Sequence, residues 1–450
     1  MDLIQLEYTD DTKQRYQTPN GPQAFTKRQV RVLDSSGEEH LTEQLESLYG
    51  PVLKHDPQGN PLAVRWTQYS PRAANMNLLQ MEQASNVNDA VAIANVSGIP
   101  PQNLMAADAE GNIAWTIAGI MPKRNYEGDK LVPWPLAGTD FTGWLAPQDY
   151  PRVFNPASGQ LQTANSRVAS GDDLAKLGDG GYDLGIRQLQ IRDHLAKFSK
   201  ANEADMLAVQ LDDEAQFYGE WHQLLRQHLH ASGQPEVTAL LPVLNDWDGH
   251  ASVDSVAYSL VREYRLQVRD RVWEPLQAMV RAKDTDLSML GLRQLDGPLW
   301  GLLEERPMHW LNPTYNDWQA LFDSAALAAK KQLIEDAGSL GKAKWGHLNR
   351  SKIQHPLSRA VPQLSWLLDM SIEAQSGDSF LPEVTGTNKG ASERFAVSPG
   401  KEEQGYFHMP GGQSGHPLSP YYGAGHEAWH NGEATPFLPM ASRESLILQN

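Results

Sequence analysis

The first eight residues, MDLIQLEY, alternate in character, with Ile4, Leu6 and Tyr8 on one face and Gln5 and Glu7 on the other, which is the two-residue period of a strand. RQVRVLDSSGEEHLTEQLESL (28–48) reads as two extended runs about a Ser35-Ser36-Gly37 turn, and PLAVRWTQY (61–69) as another strand. Between Asn75 and Val96 the period lengthens. Met76, Leu79, Ala84, Val87, Val91 and Ala94 recur at three- and four-residue steps and predict an amphipathic helix. In NLMAADAEGNIAWTIAG (103–119) the polar Asp108–Asn112 segment separates two apolar runs, a hairpin pattern.

From about 183 to 345 helical spacing takes over, in DLGIRQLQIRDHLAKF (183–198), EADMLAVQL (203–211), DSVAYSLVREYRLQVRDRVW (254–273) and DWQALFDSAALAAKKQLIEDAG (317–338). After KWGHLNR (344–350) the chain turns Gly-, Pro- and Ser-rich with short extended segments. This order divides it into a strand-rich part (1–182), a mainly helical insertion (183–345) and C-terminal strands and loops that return to the core (346–450). The fold class is therefore α+β, and no internal repeat is visible.

Composition narrows the function classes. With 40% hydrophobic and 21% charged residues over 450 positions, the chain is globular in character. A net charge of −17 with no basic stripe argues against nucleic acid, because an acidic surface repels phosphate. The longest apolar runs, such as AVAIANV (90–96), are too short to span a bilayer, so no membrane partner is expected. The absence of cysteine excludes disulfides, a thiolate nucleophile and Cys-ligated zinc.

Familiar catalytic signatures are missing: no G-x-S-x-G, no H-E-x-x-H and no G-x-x-x-x-G-K-[ST]. The glycines of PGGQSGHPLSP (410–420) lack a following Lys and read as tight turns. His408, His416, His426 and His430 read as solvated surface residues, since the last two lie in a Gly-bounded stretch with no well-spaced carboxylate. FNPASGQLQTANSRV (154–168) carries a turn followed by a short extended run ending in Asn165, whose plain reading is a turn residue bonded to its own backbone.

Seven stretches in order resemble the penicillin acylase family of N-terminal nucleophile hydrolases: LYGPVL (48–53), AADAEGNIAWTIAGIMPKR (106–124), AGTDFTGWLAP (137–147), FNPASGQLQTAN (154–165), IRQLQIRDHL (186–195), KWGHLNRSKIQHPL (344–357) and GGQSGHPLSPYY (411–422). The resemblance covers nearly the whole chain. It implies a four-layer αββα sandwich, incomplete at its N-terminal side, and hydrolysis of the linear amide of a small N-acyl compound such as a β-lactam antibiotic or an acyl-homoserine lactone.

In that family a serine at the start of the large chain is both nucleophile and, through its α-amine of pKa about 7.7–8.0, its own general base. The resemblance assigns Asn165 as the side-chain donor to the oxyanion and Arg187 as an arginine organising the site, whose plain alternative is a helix-start ion pair. It also implies one structural Ca2+, with Asp2 as a ligand. A second carboxylate ligand is out of register, because Lys176 occupies that place with Asp172 and Asp173 nearby.

By the same resemblance MDLIQLEY is an internal strand and the nucleophile lies outside residues 1–450. The expected partner is then a missing N-terminal segment or small chain of the same precursor. The chain alone is expected to be inactive and, with sheet edges unpaired, poorly soluble. Family members are mostly periplasmic or extracellular. The rival reading is a catalytically inert scaffold or ligand-binding module of the same fold.

Overall fold

The computed structural model of the chain describes residues 1–450 apart from 179, 286, 443, 444 and 450, and at Leu290 the backbone alone. It forms two compact units, Met1–Asp183 and Leu184–Asn450.

The first unit is built on a six-stranded sheet of β1 (Asp2–Gln5), β2 (Thr26–Leu33), β3 (Glu39–Ser47), β4 (Gly50–His55), β5 (Pro61–Arg65) and β8 (Val132–Pro133), in the order β8-β1-β5-β4-β3-β2. The opening stretch is a paired strand. β1 runs antiparallel to β5, with Asp2 opposite Arg65 and Ile4 opposite Ala63, and parallel to β8, with Ile4 opposite Val132. Alternation buries Asp2, Ile4 and Leu6 on one face, against Tyr16, Phe25, Tyr49, Val52 and Ala137.

β2 is the charged edge of the sheet, cross-linked to β3 by Lys27–Glu43, Arg28–Glu46 and Arg31–Glu39 pairs, a pattern that discourages further strand addition. The expected hairpin is β6 (Gln102–Ala107) with β7 (Ile113–Ala118), joined by a turn in which Asp108 Oδ1 accepts from the Glu110 and Asn112 amides. β9 (Arg152–Phe154) pairs with the other side of β7.

The helix predicted over 75–96 is two pieces, a 3₁₀ segment Asn77–Gln83 and an α-helix, α1 (Val87–Ala94). Asn86 decides the break. Its side-chain oxygen accepts from the amides of Asn88 and Asp89 at 2.9 and 3.0 Å, so it starts a new helix where a continuous one would need it in the interior. A short helix α2 (Gly171–Leu177) comes late in this unit.

The second unit contains α3 (Ile186–Leu195), α4 (Glu203–Gln210), α5 (Gln216–Ala231), α6 (Val256–Arg281), α7 (Asp296–Glu305) and α8 (Trp318–Ala337). Its core gathers Trp221, Leu225 and Leu229 of α5, Leu260, Tyr264 and Val268 of α6, and Leu321, Phe322, Ala325 and Ala329 of α8. The alanines let α8 lie close to its neighbours.

α6 outruns its sequence prediction, which stopped at Trp273, and continues through Pro275. Pro275 cannot donate to the carbonyl of Arg271, four residues back. Asn312, itself buried, supplies the missing donor through Nδ2 at 2.9 Å.

Past the helices the chain is mostly loop, with a two-stranded ladder of β10 (Arg394–Ala396) and β11 (Tyr406–His408) and a short helix α9 (His426–Asn431). The reading of the four tail histidines as surface groups is corrected at two of them. His408 and His426 are buried, with Nδ1 bonded to the carbonyls of Glu433 and Pro410, because short loops must satisfy their carbonyls where no ladder does.

Candidate functional site

The buried face of β1 carries one charge, Asp2, whose side chain is 1% exposed. Arg124, the last residue of the AADAEGNIAWTIAGIMPKR stretch, donates from Nε to both carboxylate oxygens at 3.1 and 2.9 Å, and Tyr126 donates its hydroxyl at 2.6 Å. Arg124 also reaches the Lys176 carbonyl through Nη1 at 3.3 Å. Burial, then the bond to the Asp2 carboxylate and its charge, push the Tyr126 phenol up to about 12, so it stays a donor at any physiological pH.

As a calcium ligand Asp2 would need other oxygen donors around one point. What surrounds it here is a guanidinium and a phenol that already engage both oxygens, and among the described residues Asp2 belongs to no cluster of three metal-ligating side chains. Among the described residues no other carboxylate or imidazole joins Asp2 in such a cluster, and no step below depends on a calcium ion.

Arg65, opposite Asp2 in the sheet, is buried and donates from Nη1 to the Ala137 carbonyl at 2.7 Å. Its guanidinium lies 5.0 Å from the Tyr49 ring centre and 5.5 Å from that of Phe141, and Arg124 approaches Phe141 to 5.9 Å. Beside this cluster opens a cavity of ≈ 850 Å³ with an aromatic wall of Tyr49, Trp66, Tyr69, Phe141 and Trp144. It is ligand-sized. Asn165 is not among its lining residues.

Asn165 stands in the left-handed region at φ 61°, an uncommon backbone for a residue with a Cβ and one that asparagine tolerates better than most. Its flanking residues Ala164 and Ser166 are buried, its own side chain is exposed, and its carbonyl accepts from the Asp183 amide at 2.9 Å. Asn155, at φ 41° in the same motif, is latched to the β6–β7 hairpin by accepting from the Ile113 amide at 2.9 Å and donating to Asn112 at 3.0 Å. Two positive-φ asparagines thus shape the ends of the FNPASGQLQTAN loop.

Arg187 belongs to the second unit, as the second residue of α3, and is half-buried. A cation in a first helical turn opposes the helix dipole, at about 0.3–1 kcal/mol. Arg124, Tyr126 and Arg65 were not singled out from the sequence. The only signal was that Arg124 closes a motif already quoted, and nothing local announces that Tyr126 lies over Asp2.

A family model described as penicillin amidase matches residues 1–443. The chain belongs to the penicillin amidase family. Among curated members, the penicillin acylase 2 proenzyme of Pseudomonas sp. (strain SE83) is 27% identical over 444 residues, covering 91% of this chain and 54% of that protein. An acyl-homoserine lactone acylase of Pseudomonas fluorescens (strain Pf0-1), QuiP, is 26% identical over 383 residues, covering 74% of this chain and 42% of that protein. The chain spans about half the length of the curated relatives it matches.

Among solved structures, the thermostable penicillin G acylase from Alcaligenes faecalis superposes with a TM-score of 0.62 at 16% identity, covering 100% of this chain and 86% of that one. At that identity the likeness establishes a shared penicillin amidase fold, a mixture of helix and sheet. No helix among the described residues is long and apolar enough to cross a membrane.

Proposed function

We propose that this chain is the larger part of an acylase that hydrolyses the linear amide of an N-acyl compound, a β-lactam antibiotic or an acyl-homoserine lactone being the two classes its curated relatives name. In this reading the fold is the αββα sandwich, completed by a precursor segment that carries the nucleophilic serine. The serine attacks the amide carbonyl, its α-amine takes the proton, the amine product leaves, and water releases the acid from the acyl-enzyme. Export to the periplasm belongs to the same reading, as does the helical stretch 183–345 as an insertion into the sandwich.

The observation that carries the proposal is the family match over residues 1–443 together with the backbone of Asn165. An oxyanion donor contributes most when it is fixed before the charge develops. Asn165 has its carbonyl bonded to Asp183 and buried neighbours on both sides, which holds an exposed amide on a constrained backbone. Arg187 is the positioning residue.

The test is hydrolysis of chromogenic phenylacetyl and long-chain acyl amides by protein expressed from the complete reading frame around these codons. Glycine keeps φ 61° without strain, so Asn165→Gly removes the amide while sparing the backbone. The expected loss is about 10²–10³-fold in kcat with KM little changed. Full activity in that variant removes the oxyanion assignment, and no hydrolysis by the unmutated protein replaces the acylase with the inert-scaffold reading.

A further inference from the structure

The C-terminal half of α3 faces the loop 212–214. His194 Nε2 is buried and has no hydrogen-bond partner among protein atoms, yet it lies 3.4 Å from Asp212 Oδ2 and 3.4 Å from Glu214 Oε2. One turn earlier on the same helix face, Gln190 is 1% exposed. Its Nε2 donates to Asp212 Oδ2 at 2.6 Å and to the Glu214 carbonyl at 2.9 Å, while its Oε1, also buried, has no partner. A buried imidazole nitrogen left unsatisfied beside two carboxylates demands a physical reason.

Distance supplies it. A protonated imidazole bonded to a carboxylate sits about 2.7–2.9 Å away, and the neighbouring His250 Nδ1 does so, 2.7 Å from Asp213 Oδ1. His194 does not. A tetrahedral ion with bonds of about 2.0–2.2 Å to imidazole nitrogen and carboxylate oxygen holds its ligand atoms about 3.3–3.6 Å apart. Both His194 contacts fall in that interval.

We propose that His194, Asp212 and Glu214 form a binding site for a divalent ion of the zinc class. One imidazole and two carboxylates suit zinc better than calcium or magnesium, which favour all-oxygen sets. The loop is already held in shape for the task. Asp212 Oδ1 accepts from the Glu214 amide at 3.0 Å, the Asp212 carbonyl from the Glu383 amide at 3.0 Å, the Asp213 carbonyl from the Ala251 amide at 2.9 Å, and Glu214 Oε2 from Gln216 Nε2 at 3.0 Å. The Glu214 side chain is 41% exposed, which gives the ion a way in from solvent. The ion would tie the end of α3 to this loop, on the helix stripe that begins with Arg187, and the assignment stands whether or not the acylase reading does.

Chelator-treated full chain titrated with Zn2+ by calorimetry, and with Co2+ by visible absorption, tests the site. One equivalent is expected, with the intense bands of four-coordinate cobalt. Glu214→Gln, at the partly exposed ligand, is expected to weaken binding at least as much as the roughly 10–100-fold seen on removing a ligand's outer partner, and His194→Gln to abolish it. His40→Gln, in the exposed Asp34–Glu38–His40 group, leaves it unchanged. No saturable binding by the unmutated chain, or binding that Glu214→Gln leaves intact, overturns the proposal.

Discussion

At the scale of single residues, the buried pair of Asp2 and Arg124 carries a testable cost. Without Arg124 this buried carboxylate would keep only the Tyr126 hydroxyl and, 3.9 Å from Oδ1, the largely exposed Met1 amine, which compensate it less well than a bonded guanidinium. Arg124→Leu is expected to cost about 3–5 kcal/mol and Tyr126→Phe about 1–3 kcal/mol, both read as shifts in urea midpoint at unchanged slope. An Arg124→Leu loss below ~1 kcal/mol would mean that water reaches Asp2 and that the pair is a surface feature. The sequence singled out Asp2 only through a family resemblance, and did not single out its partners. Arg124 and Tyr126 lie 122 and 124 positions away, beyond the reach of any periodicity.

At the scale of elements, most of the long helices and the hairpins were legible because their spacing is local. The misses have named causes. Asn86 caps a helix inside an apolar repeat, and Asn312 repairs the backbone that Pro275 would otherwise end. α5 is hard to see in the sequence, although Tyr218, Trp221, Leu225 and Leu229 mark a buried stripe, because Gln, Glu, Arg and His fill the positions between. Asn312→Leu should strand the Arg271 carbonyl and cost about 1–3 kcal/mol. Asp317→Ala removes only the α8 cap, whose side chain accepts from the Ala320 amide at 2.8 Å, and should cost about 1 kcal/mol. Denaturant melts of the two variants check both figures, and an unchanged midpoint for Asn312→Leu would show that α6 does not depend on Asn312.

At the scale of the whole molecule, buried titrating groups set the acid response. His228 of α5 is stacked 3.5 Å from Phe322, bonded through Nδ1 to the Tyr264 hydroxyl at 2.5 Å, and accepts at Nε2 from Arg306 at 3.2 Å. Burial, then the Arg306 charge, push its pKa down to about 3. The unfolded chain therefore binds this proton first as pH falls below 6.5, and stability drops by about 1.4 kcal/mol per pH unit until the folded value is reached.

Glu383 acts in the opposite sense. Burial raises it to about 7, so the folded state gains a proton first between about 7 and 4.5, and the two effects largely cancel over pH 4.5–6.5. The His228 contribution is isolated by His228→Gln, whose stability relative to the unmutated chain should improve by about 2.7 kcal/mol between pH 6.5 and 4.5. A difference independent of pH would show that His228 titrates as it does in water.

By itself the sequence determined the family, the alternation that makes MDLIQLEY a strand, the hairpins and the helix-rich stretch, since each is written in spacings of a few residues that burial enforces directly. Only the tertiary structure decided that Asp2 meets Arg124 and Tyr126, that two tail histidines are buried, and that His194 lies 3.4 Å from each of two carboxylates. Those outcomes depend on where the chain path brings distant residues, and on which buried polar atoms are left to satisfy one another once the apolar faces have closed.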